Sequence, residues 1–255
     1  DLLGGGKGQD ILIGGKGDDD LSGAEGADVL KGGAGIDHAE YFFSKSAINV
    51  NLMTGKGKGG DAEGDVLKGI ETVRGSNFND VLIGNAQDNT LSGGDGNDII
   101  DGNTGDDSLF GNTGDDTLDG GAGADTLYGN AGNDLLRGGR GEDFAHGGTG
   151  NDRILGRQDN DVLFGGDGKD WINGGYGSDR MTGGEGSDRF VFQAGQGNDV
   201  ITDFEMDDRL VMRDFYDAGD DAADSARMSN GNLVLTNGED RITLLGLDKD
   251  DLDWV

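Results

Sequence analysis

The segments GGDGNDIID (93–101) and GGAGADTLY (120–128) are two copies of one nine-residue unit. Thirteen copies follow each other without a gap from Gly75 to Val191, and four more run from Gly5 to Glu40. In all seventeen copies the first position is Gly and the eighth is apolar, and the sixth is Asp in every copy except at Asn89. A fixed period of this kind predicts a repeat architecture, in which each unit packs on copies of itself.

Each position of the unit has a physical reason. Glycines at the first, second and fourth positions permit the backbone conformations of a tight turn and leave main-chain carbonyls uncovered, free to point at an ion. The Asp at position six supplies a carboxylate where the turn ends. Positions seven to nine predict a short strand with only the eighth side chain pointing inward. Two units, or 18 residues, then make one coil, and the thirteen-unit tract makes about six and a half coils with a length of roughly 30 Å.

The composition favours cation binding and excludes several classes of protein. The 255 residues include 54 Gly, no Pro and no Cys, and 51 acidic against 20 basic residues give a net charge of −31. A chain this acidic repels nucleic acid and anionic membranes but attracts hard cations, which take oxygen ligands. Disulfides and thiolate metal sites are impossible, no apolar run is long enough to span a membrane, and no cleavable secretory signal is visible. Low hydrophobicity with high charge alone would indicate disorder, but the nine-residue period argues against it.

The repeat resembles the G-G-x-G-x-D-x-U-x unit of the RTX, or hemolysin-type, calcium-binding family over about 60% of the chain. The resemblance implies an all-β fold, a right-handed parallel β-roll with 18 residues per coil and a C-terminal β cap. It also implies a secreted bacterial protein, exported by a one-step (type I) machine, and multiple bound Ca2+ ions. In this family, loops on successive coils enclose each ion, which would pair Asp98 with Asp116 and Asp107 with Asp125.

The predicted metal ligands are the carboxylates of the sixth-position residues and one residue of the interruption, together with main-chain carbonyls of the loops. The carboxylates are those of Asp10, Asp19, Asp28, Asp37, Asp65, Asp80, Asp98, Asp107, Asp116, Asp125, Asp134, Asp143, Asp152, Asp161, Asp170, Asp179 and Asp188. Representative carbonyls are those of Gly93, Gly96, Gly102, Gly105, Gly111, Gly114, Gly120, Gly123, Gly129 and Gly132.

Two stretches depart from the pattern and predict weaker sites. In 75–92, Phe78 and Gln87 replace the fourth-position Gly and Asn89 replaces Asp, so we expect an ion to be held weakly or not at all. The loop of the 156–164 unit is also irregular, and it weakens the expectation for Asp161.

The period divides the chain into a short repeat tract (1–40), an interruption (41–74), the main roll (75–191) and a C-terminal region (192–255). The interruption predicts a degenerate coil with a protruding hairpin, including a strand over 47–52 and three apolar residues available for burial, Leu67, Ile70 and Val73. Its acids could bind another ion or be solvated loop carboxylates, and both interpretations stay open for Asp61, Glu63, Asp65 and Glu71.

The C-terminal region is similar to the segment that closes β-rolls in secreted RTX enzymes. Its apolar residues Val200, Ile201, Phe204, Leu210 and Val211 could cover the last coil, which would otherwise expose unpaired backbone groups. A hairpin is predicted over 232–246 with its turn at Asn237-Gly238, after an acidic loop at 217–226. The tail 247–255 resembles an uncleaved export signal, and it could equally be part of the folded cap. Residues 1–4 match positions six to nine of a further unit, so we expect a fragment of a longer protein, or a processed or trimmed chain.

Nothing in the sequence predicts a catalytic site. The two histidines, His38 and His146, occupy outward strand positions, no G-x-S-x-G motif occurs, and the GxGxxG strings lack a following helix. The function predicted is a non-enzymatic module that folds on binding Ca2+ after export. Alternatives are an accessory domain of a secreted protease, lipase or polysaccharide-modifying enzyme, and a cell-surface adhesion or matrix protein. A glycan or cell-surface partner at outward aromatics such as Trp171 is possible within these alternatives.

Overall fold

The computed structural model describes residues 1–193, 195–213, 227–229, 232–237 and 240–246. Within these ranges the chain is an all-β solenoid in which successive strands alternate between two sheets, except at β6–β8 and β25–β27. The predicted acidic loop at 217–226, the turn residue Gly238 and the predicted export signal at 247–255 lie outside the described residues. No helix in the described ranges is long and apolar enough to cross a membrane.

The strands are short, as a nine-residue unit requires. The first tract contains β1 (Leu2–Lys7), β2 (Ile11–Lys16), β3 (Asp20–Glu25), β4 (Val29–Ala34) and β5 (His38–Glu40). The interruption contains β6 (Asn49–Asn51), β7 (Lys56–Lys58), a 3-10 turn (Gly60–Ala62), β8 (Val66–Lys68) and β9 (Thr72–Arg74). The main tract contains β10 (Val81–Ile83), β11 (Thr90–Asp95), β12 (Ile99–Asp101), β13 (Ser108–Thr113), β14 (Thr117–Ala122), β15 (Thr126–Ala131), β16 (Leu135–Arg140), β17 (Phe144–Thr149), β18 (Arg153–Gln158), β19 (Val162–Gly168), β20 (Trp171–Tyr176), β21 (Arg180–Gly186) and β22 (Arg189–Gln193). The last region contains β23 (Asn198–Ile201), β24 (Arg209–Arg213), β25 (Arg227–Ser229), β26 (Asn232–Asn237) and β27 (Asp240–Leu244).

The two sheets have 14 and 13 strands. Sheet A has the order β1-β3-β5-β9-β11-β13-β15-β17-β19-β21-β23-β27-β26-β25, and sheet B has the order β2-β4-β8-β7-β6-β10-β12-β14-β16-β18-β20-β22-β24. Alternation of consecutive strands between the sheets confirms the predicted parallel roll, because each chain segment returns to the same sheet only after a full coil.

The 18-residue coil is confirmed by the register. Leu109 pairs with Leu127, and Leu118 pairs with Leu136, each partner lying one coil further along. The eighth-position side chains therefore stack into two buried columns, one per sheet, and every one of them in the main tract is buried. Burial of these columns supplies the apolar stabilisation that a chain with so few hydrophobic residues can offer.

The interruption at 41–74 is accommodated inside sheet B. Strand β8 pairs parallel with β4 and β6 pairs parallel with β10, while β7 lies antiparallel between them. The predicted hairpin is thus present as β6 and β7, but it does not protrude, because pairing on both sides keeps β7 within the sheet. Leu67, Ile70 and Val73 are buried as expected.

After Val191 the roll continues with a shifted period. Strands β23 and β24 pair parallel with β21 and β22 at a spacing of 20 residues in place of 18, as the pair Met181 and Ile201 shows. Strands β26 and β27 then form the predicted antiparallel hairpin on the edge of sheet A. Ile201 and Phe204 are buried, and Val200, Leu210 and Val211 are partly buried.

Aromatic side chains stack along the outer face of sheet A. The rings of Phe110 and Tyr128 are 5.5 Å apart with planes 4° apart, and His146 stacks on Phe164 with centroids 6.0 Å apart. These residues occupy the ninth position on successive coils, so the register that aligns the interior also aligns the outside.

Candidate metal centre

Acidic side chains, with the amide of Asn89 as the one exception, line the roll in two rows, one at the start of each sheet's strands. Apart from Asp199, which lies within β23, every member directly precedes a strand. The first row, beside sheet A, consists of Asp19, Asp37, Glu71, Asn89, Asp107, Asp125, Asp143, Asp161, Asp179 and Asp199. The second row, beside sheet B, consists of Asp10, Asp28, Asp65, Asp80, Asp98, Asp116, Asp134, Asp152, Asp170, Asp188 and Asp208.

One carboxylate oxygen of most repeat Asp residues links two coils. The backbone N–H of Asp98 donates to Oδ1 of Asp116 at 2.7 Å, and that of Asp107 donates to Oδ1 of Asp125 at 2.8 Å. The same bond recurs along both rows. The turns before the strands are thereby held in register, since each carboxylate satisfies a donor that no strand partner reaches.

The other carboxylate oxygen is buried and has no hydrogen-bond partner. This holds for Oδ2 of fifteen residues, namely Asp10, Asp19, Asp28, Asp37, Asp98, Asp107, Asp116, Asp125, Asp134, Asp143, Asp152, Asp161, Asp170, Asp179 and Asp188. An ionised carboxylate oxygen buried without a partner is costly unless a proton or a cation neutralises it. The fifteen unpartnered Oδ2 atoms therefore mark positions at which a bound cation would supply the missing partner.

Main-chain oxygens converge on the same positions. A Cβ on Gly111 would collide with Oδ2 of Asp116 and would stand 2.9 Å from the carbonyl oxygen of Gly129 on the next coil. A Cβ on Gly102 would likewise meet Oδ2 of Asp107 and stand 2.7 Å from the carbonyl of Gly120. Each cradle holds one carboxylate oxygen and one carbonyl oxygen, the donor set that Ca2+ takes, so these residues fit the ion that the repeat implies.

This cradle also corrects the reason given for the first-position Gly. The backbone of Gly93, Gly102 and Gly111 is not in the left-handed region, whereas the second and fourth positions are, with φ of 119° at Gly94 and 119° at Gly96. The first Gly is required because its missing side chain leaves the space occupied by the Asp carboxylate.

The fourth-position glycines form a second stack of carbonyls. A Cβ on Gly114 would meet the carbonyl oxygen of Gly96, and one on Gly123 would meet that of Gly105. The carbonyl of Gly114 faces Gly132 in the same way. The predicted carbonyl ligands at this position thus point along the roll toward the next loop, and their ligation of a metal stays a prediction.

Burial raises the pKa of the row carboxyls. It raises the pKa of Asp98, Asp107, Asp116, Asp143 and Asp170 to about 7, and that of Asp161 to about 8. The hydrogen bond from the neighbouring coil opposes this shift, and carboxylates in the same row add to it. The pKa rises to about 6 for Asp125, Asp134, Asp152, Asp179 and Asp188. The rows thus hold negative charge only at an energetic cost.

Two predicted ligands have both carboxylate oxygens occupied by hydrogen bonds. Oδ2 of Asp65 accepts from the hydroxyl of Tyr41 at 3.0 Å, and its Oδ1 accepts from the N–H of Asp28 at 2.7 Å. Oδ1 of Asp80 accepts from the N–H of Ile48 at 2.8 Å, and its Oδ2 accepts from the N–H of Ser76. Neither carboxylate offers the unpartnered oxygen found in the fifteen Asp residues named above.

The amide of Asn89 is also engaged locally. Its Oδ1 accepts from the N–H of Asn85 at 2.7 Å, and its Nδ2 donates to the carbonyl of Glu71 at 3.2 Å. Together with Asp80, this arrangement supports the prediction of weak binding in 75–92.

Asp161, by contrast, has the same surroundings as its neighbours in the row. Its Oδ1 accepts from the N–H of Asp143 at 2.9 Å and its Oδ2 is unpartnered. The irregular residues Arg157 and Asp159 adopt left-handed φ values of 89° and 73°, as the glycines they replace would. The geometry gives no reason to expect a weaker site here than at Asp143.

The acids of the interruption do not converge on one point. Asp65 belongs to the second row, whereas Oε2 of Glu71 accepts from the N–H of Asp37 at 3.0 Å in the first row. Glu63 caps the N–H of Gly59 at 2.8 Å. The hydrogen bonds of these side chains do not decide whether the acids of the interruption bind an ion or are solvated. Both interpretations stay predictions.

Two members of the rows were missed by the sequence argument, and a third, Glu71, was named only as an acid that could bind another ion or be solvated. Asp199 and Asp208 accept from the N–H groups of Asp179 and Asp188, at 3.0 and 2.8 Å, and Glu71 replaces a first-row Asp. The string GQGND (195–199) was the available signal for Asp199, but a two-residue insertion displaces it from the nine-residue period.

A polar ladder at the fifth position was also missed. Oδ1 of Asn97 accepts from the N–H of Asp115 at 3.1 Å, and Oδ1 of Asp115 accepts from that of Asn133 at 2.7 Å. The frequent Asn and Asp at this position of the unit were the signal. These bonds tie the exposed side of each loop to the next coil.

The comparison with protein-family models agrees with this geometry. The family model "RTX calcium-binding nonapeptide repeat (4 copies)" matches residues 4–39 and, in overlapping segments, 66–201. Among solved structures, the crystal structure of the extracellular lipase LipA from Serratia marcescens matches with 20% identity and a TM-score of 0.33. That match covers 99% of this chain and 39% of the lipase chain. Comparison with curated protein sequences found no match.

Proposed function

The chain belongs to the RTX calcium-binding nonapeptide repeat family, and we propose that its two carboxylate rows bind several Ca2+ ions and that this binding drives the roll to fold. The observation that carries the proposal is the set of fifteen buried Oδ2 atoms without a hydrogen-bond partner. Each bound ion would supply positive charge where carboxylate and carbonyl oxygens of successive loops meet.

Without an ion, the same residues oppose folding. The chain carries a net charge of −31, and its rows place carboxylates on successive coils next to each other. Ordering the 54 glycines costs conformational entropy that the two narrow apolar columns offset only in part. Because the cradles exist only once the coils have stacked, the free energy of binding becomes free energy of folding.

A Ca2+ titration followed by far-UV circular dichroism tests this proposal. We expect β signal to appear cooperatively with Ca2+, and Mg2+ at equal concentration to be a poor substitute because it prefers strict octahedral sites with several waters. Fluorescence of Trp171, recorded in a Trp254→Phe background, should change over the same range. An equal β signal in calcium-stripped and calcium-loaded protein would reject calcium-driven folding.

We further propose that the chain is a secretion and structural module of an extracellular bacterial protein. Extracellular calcium modules have dissociation constants of roughly 0.1–1 mM, far above cytosolic Ca2+. Such affinities would keep the rows unfolded during export and let them fold outside the cell. Export of the chain by a type I machine, with and without residues 214–255, tests whether the C-terminal region carries the signal.

Within this proposal the chain does not catalyse a reaction. In the described ranges, His146 lies in the aromatic stack with Tyr128 and Phe164. A catalytic activity would belong to another part of a parent protein, for which this chain would be an accessory domain. Assays of the isolated chain against ester, peptide and polysaccharide substrates test the statement.

A second candidate function, binding of an acidic glycan at a surface, has one specific observation in its favour. Arg153, Trp171, Arg189 and Arg209 form a row on the outer face of sheet B. The guanidinium of Arg153 lies 4.1 Å from the ring centroid of Trp171. Among the described residues, Arg189 and Arg209 form no ion pair within 4.0 Å, although the chain is strongly acidic.

Titration with a short uronate oligosaccharide and with a neutral glucan of equal length distinguishes this candidate. Binding of the uronate alone, weakened by Arg189→Gln or Trp171→Ala and unchanged by Arg140→Gln, would support it. Arg140 is the matched control because it is an exposed Arg of sheet B outside the row. Equal affinity for both sugars, or none for either, would exclude glycan binding by this row.

A further inference from the structure

Three ligand-type side chains meet on the outer face of sheet A, next to the first carboxylate row but not part of it. Asp20 begins β3 and pairs with His38 at the start of β5, one coil further along. Glu40 follows on the same strand, two residues after His38, so both project from the same face while Ala39 between them is buried. The register of two parallel strands therefore fixes the arrangement.

The ligand atoms of the three side chains lie within 4.8 Å of one another. Nδ1 of His38 is 4.0 Å from Oδ1 of Asp20, which is beyond hydrogen-bond distance. Within the described part of the chain, no hydrogen bond to any of the three side chains is formed. The side chains of His38 and Asp20 are 37% and 53% exposed, so rotation about their own bonds is enough to bring the ligand atoms closer.

One positive charge lies beside this cluster. Arg74 on β9 is the cross-strand neighbour of Glu40, and against the larger raising effect of burial its charge lowers the pKa of Glu40. Its guanidinium packs 4.4 Å from the ring centroid of Phe42, and among the described residues it forms no ion pair with Glu40 within 4.0 Å. Two carboxylates and an imidazole thus face one another on a rigid surface with unused lone pairs.

We propose that Asp20, His38 and Glu40 form a binding site for a divalent transition-metal ion, with Zn2+ as the representative. One imidazole nitrogen and two carboxylate oxygens are ligands that Zn2+ takes at about 2.0–2.2 Å, and three protein ligands leave a position for water or an exogenous group. Ca2+ takes oxygen ligands alone, so the imidazole separates this site from the carboxylate rows. The site is independent of the proposed calcium-dependent function, except that the strands must be folded.

The chain contains only two histidines, which makes nuclear magnetic resonance of the imidazoles a direct test. In saturating Ca2+, we expect added Zn2+ to shift the ring signals of His38 and to leave those of His146 unchanged. A chromophoric chelator in the same buffer measures the affinity. His38→Asn should weaken Zn2+ binding by more than about tenfold. A loss of at least that size is typical even when the residue removed only hydrogen-bonds to a metal ligand.

Asp20→Asn and Glu40→Gln test whether the carboxylates are ligands, and each should weaken Zn2+ binding several-fold. His146→Asn is the matched control and should have no effect. Circular dichroism in Ca2+ establishes that every variant is folded, and the signals of the unaltered chain decide the question if a variant fails to fold. The proposal is wrong if Zn2+ does not move the His38 signals, or if Asp20→Asn and Glu40→Gln bind as tightly as the parent. Loss of calcium-dependent folding in the parent would instead contradict the proposed function and not this site.

Discussion

Oδ1 of Asp116 accepts a 2.7 Å hydrogen bond from the backbone N–H of Asp98, while Oδ2 of the same carboxylate is buried without a partner. One side chain therefore performs two separable tasks: it aligns adjacent coils through one oxygen and presents the other to the cradle. The sequence argument assigned the carboxylate to metal binding alone. Since an amide retains the first task and removes the charge needed for the second, substitution by Asn separates them.

The first prediction uses two Asp residues of one loop. Asp170→Asn keeps an acceptor for the N–H of Asp152, which now bonds Oδ1 of Asp170 at 2.8 Å, but it replaces the unpartnered Oδ2 by an NH2 group. We expect calcium affinity at this loop to fall on the order of tenfold, because ligand charge sets the affinity of such sites. Asp167→Asn, three residues earlier and exposed, should leave it unchanged. Calorimetric Ca2+ titration of both variants measures the difference, and equal effects would contradict the assignment of Asp170.

The second prediction concerns pH in the absence of calcium. Burial raises the pKa of Asp98 and Asp116 to about 7 and that of Asp161 to about 8, whereas an Asp in an unfolded chain titrates near about 3.9. The folded state then binds more protons than the unfolded state between these values. Its stability from these groups is complete below about pH 4 and is lost as the pH rises through about 6 to 8. We expect calcium-stripped protein to gain β structure on acidification from pH 8 to pH 5.

Calcium should reverse this dependence, because the row carboxylates must lose their protons to bind it. Circular dichroism of calcium-stripped protein between about pH 5 and pH 8, with and without excess Ca2+, records both behaviours. If β structure of the calcium-stripped chain grew with rising pH, the carboxylates would not be the groups that oppose folding.

Much of the fold could be predicted because, in a coil of fixed length, residues that are 18 apart in the sequence are neighbours in space. Leu109, Leu118 and Leu127 recur every nine residues, so their alternation between two buried columns follows from arithmetic and from the need to hide apolar surface. The same arithmetic places Asp20 beside His38, 18 residues apart, but His38 was considered alone and the cluster with Asp20 and Glu40 was missed. In a solenoid, a lone polar residue has neighbours one coil away.

What could not be predicted depends on insertions. The antiparallel strand β7 enters sheet B because β4 and β10 are separated by 41–74, and no period states how such a segment folds back. The pairing of Asp179 with Asp199 required knowing that two extra residues shift the coil. The bond between Tyr41 and Asp65 also arises only in three dimensions, since neither residue belongs to a regular unit.

The third prediction compares two substitutions at one glycine. Gly148, at the second position of its unit, has φ of 118°, and Asn occupies the equivalent position at Asn103, Asn112 and Asn130 with φ of 73°, 79° and 73°. Asn visits the left-handed region at modest cost, whereas a β-branched side chain there is strained. A Cβ at Gly148 would also collide with the carbonyl oxygen of Asn130 on the preceding coil, so the backbone must shift before either side chain fits. Gly148→Asn should lower the free energy of unfolding by about 1–3 kcal/mol, and Gly148→Val should lower it by about 1–2 kcal/mol more. Urea unfolding in saturating Ca2+ measures both, and equal losses would show that space and not φ limits this position.

The fourth prediction concerns the hydroxyl of Tyr41, which is buried and donates to Oδ2 of Asp65 at 3.0 Å. Tyr41→Phe removes the donor and leaves a buried carboxylate oxygen unpaired, so the free energy of unfolding should fall by about 1–3 kcal/mol. The pKa of Asp65, raised by burial to about 6, should rise further, because the bond from Tyr41 favours the ionised form. Tyr176→Phe is the matched control, since Tyr176 is 63% exposed, and its effect should stay within about 0.5 kcal/mol. Urea unfolding of both variants in saturating Ca2+ decides the matter. A loss confined to Tyr41→Phe would show that this bond holds the interruption to the roll. Equal stabilities of the two variants would show that Asp65 gains another partner in Tyr41→Phe. A bound cation is the first candidate, and counting bound Ca2+ tests it.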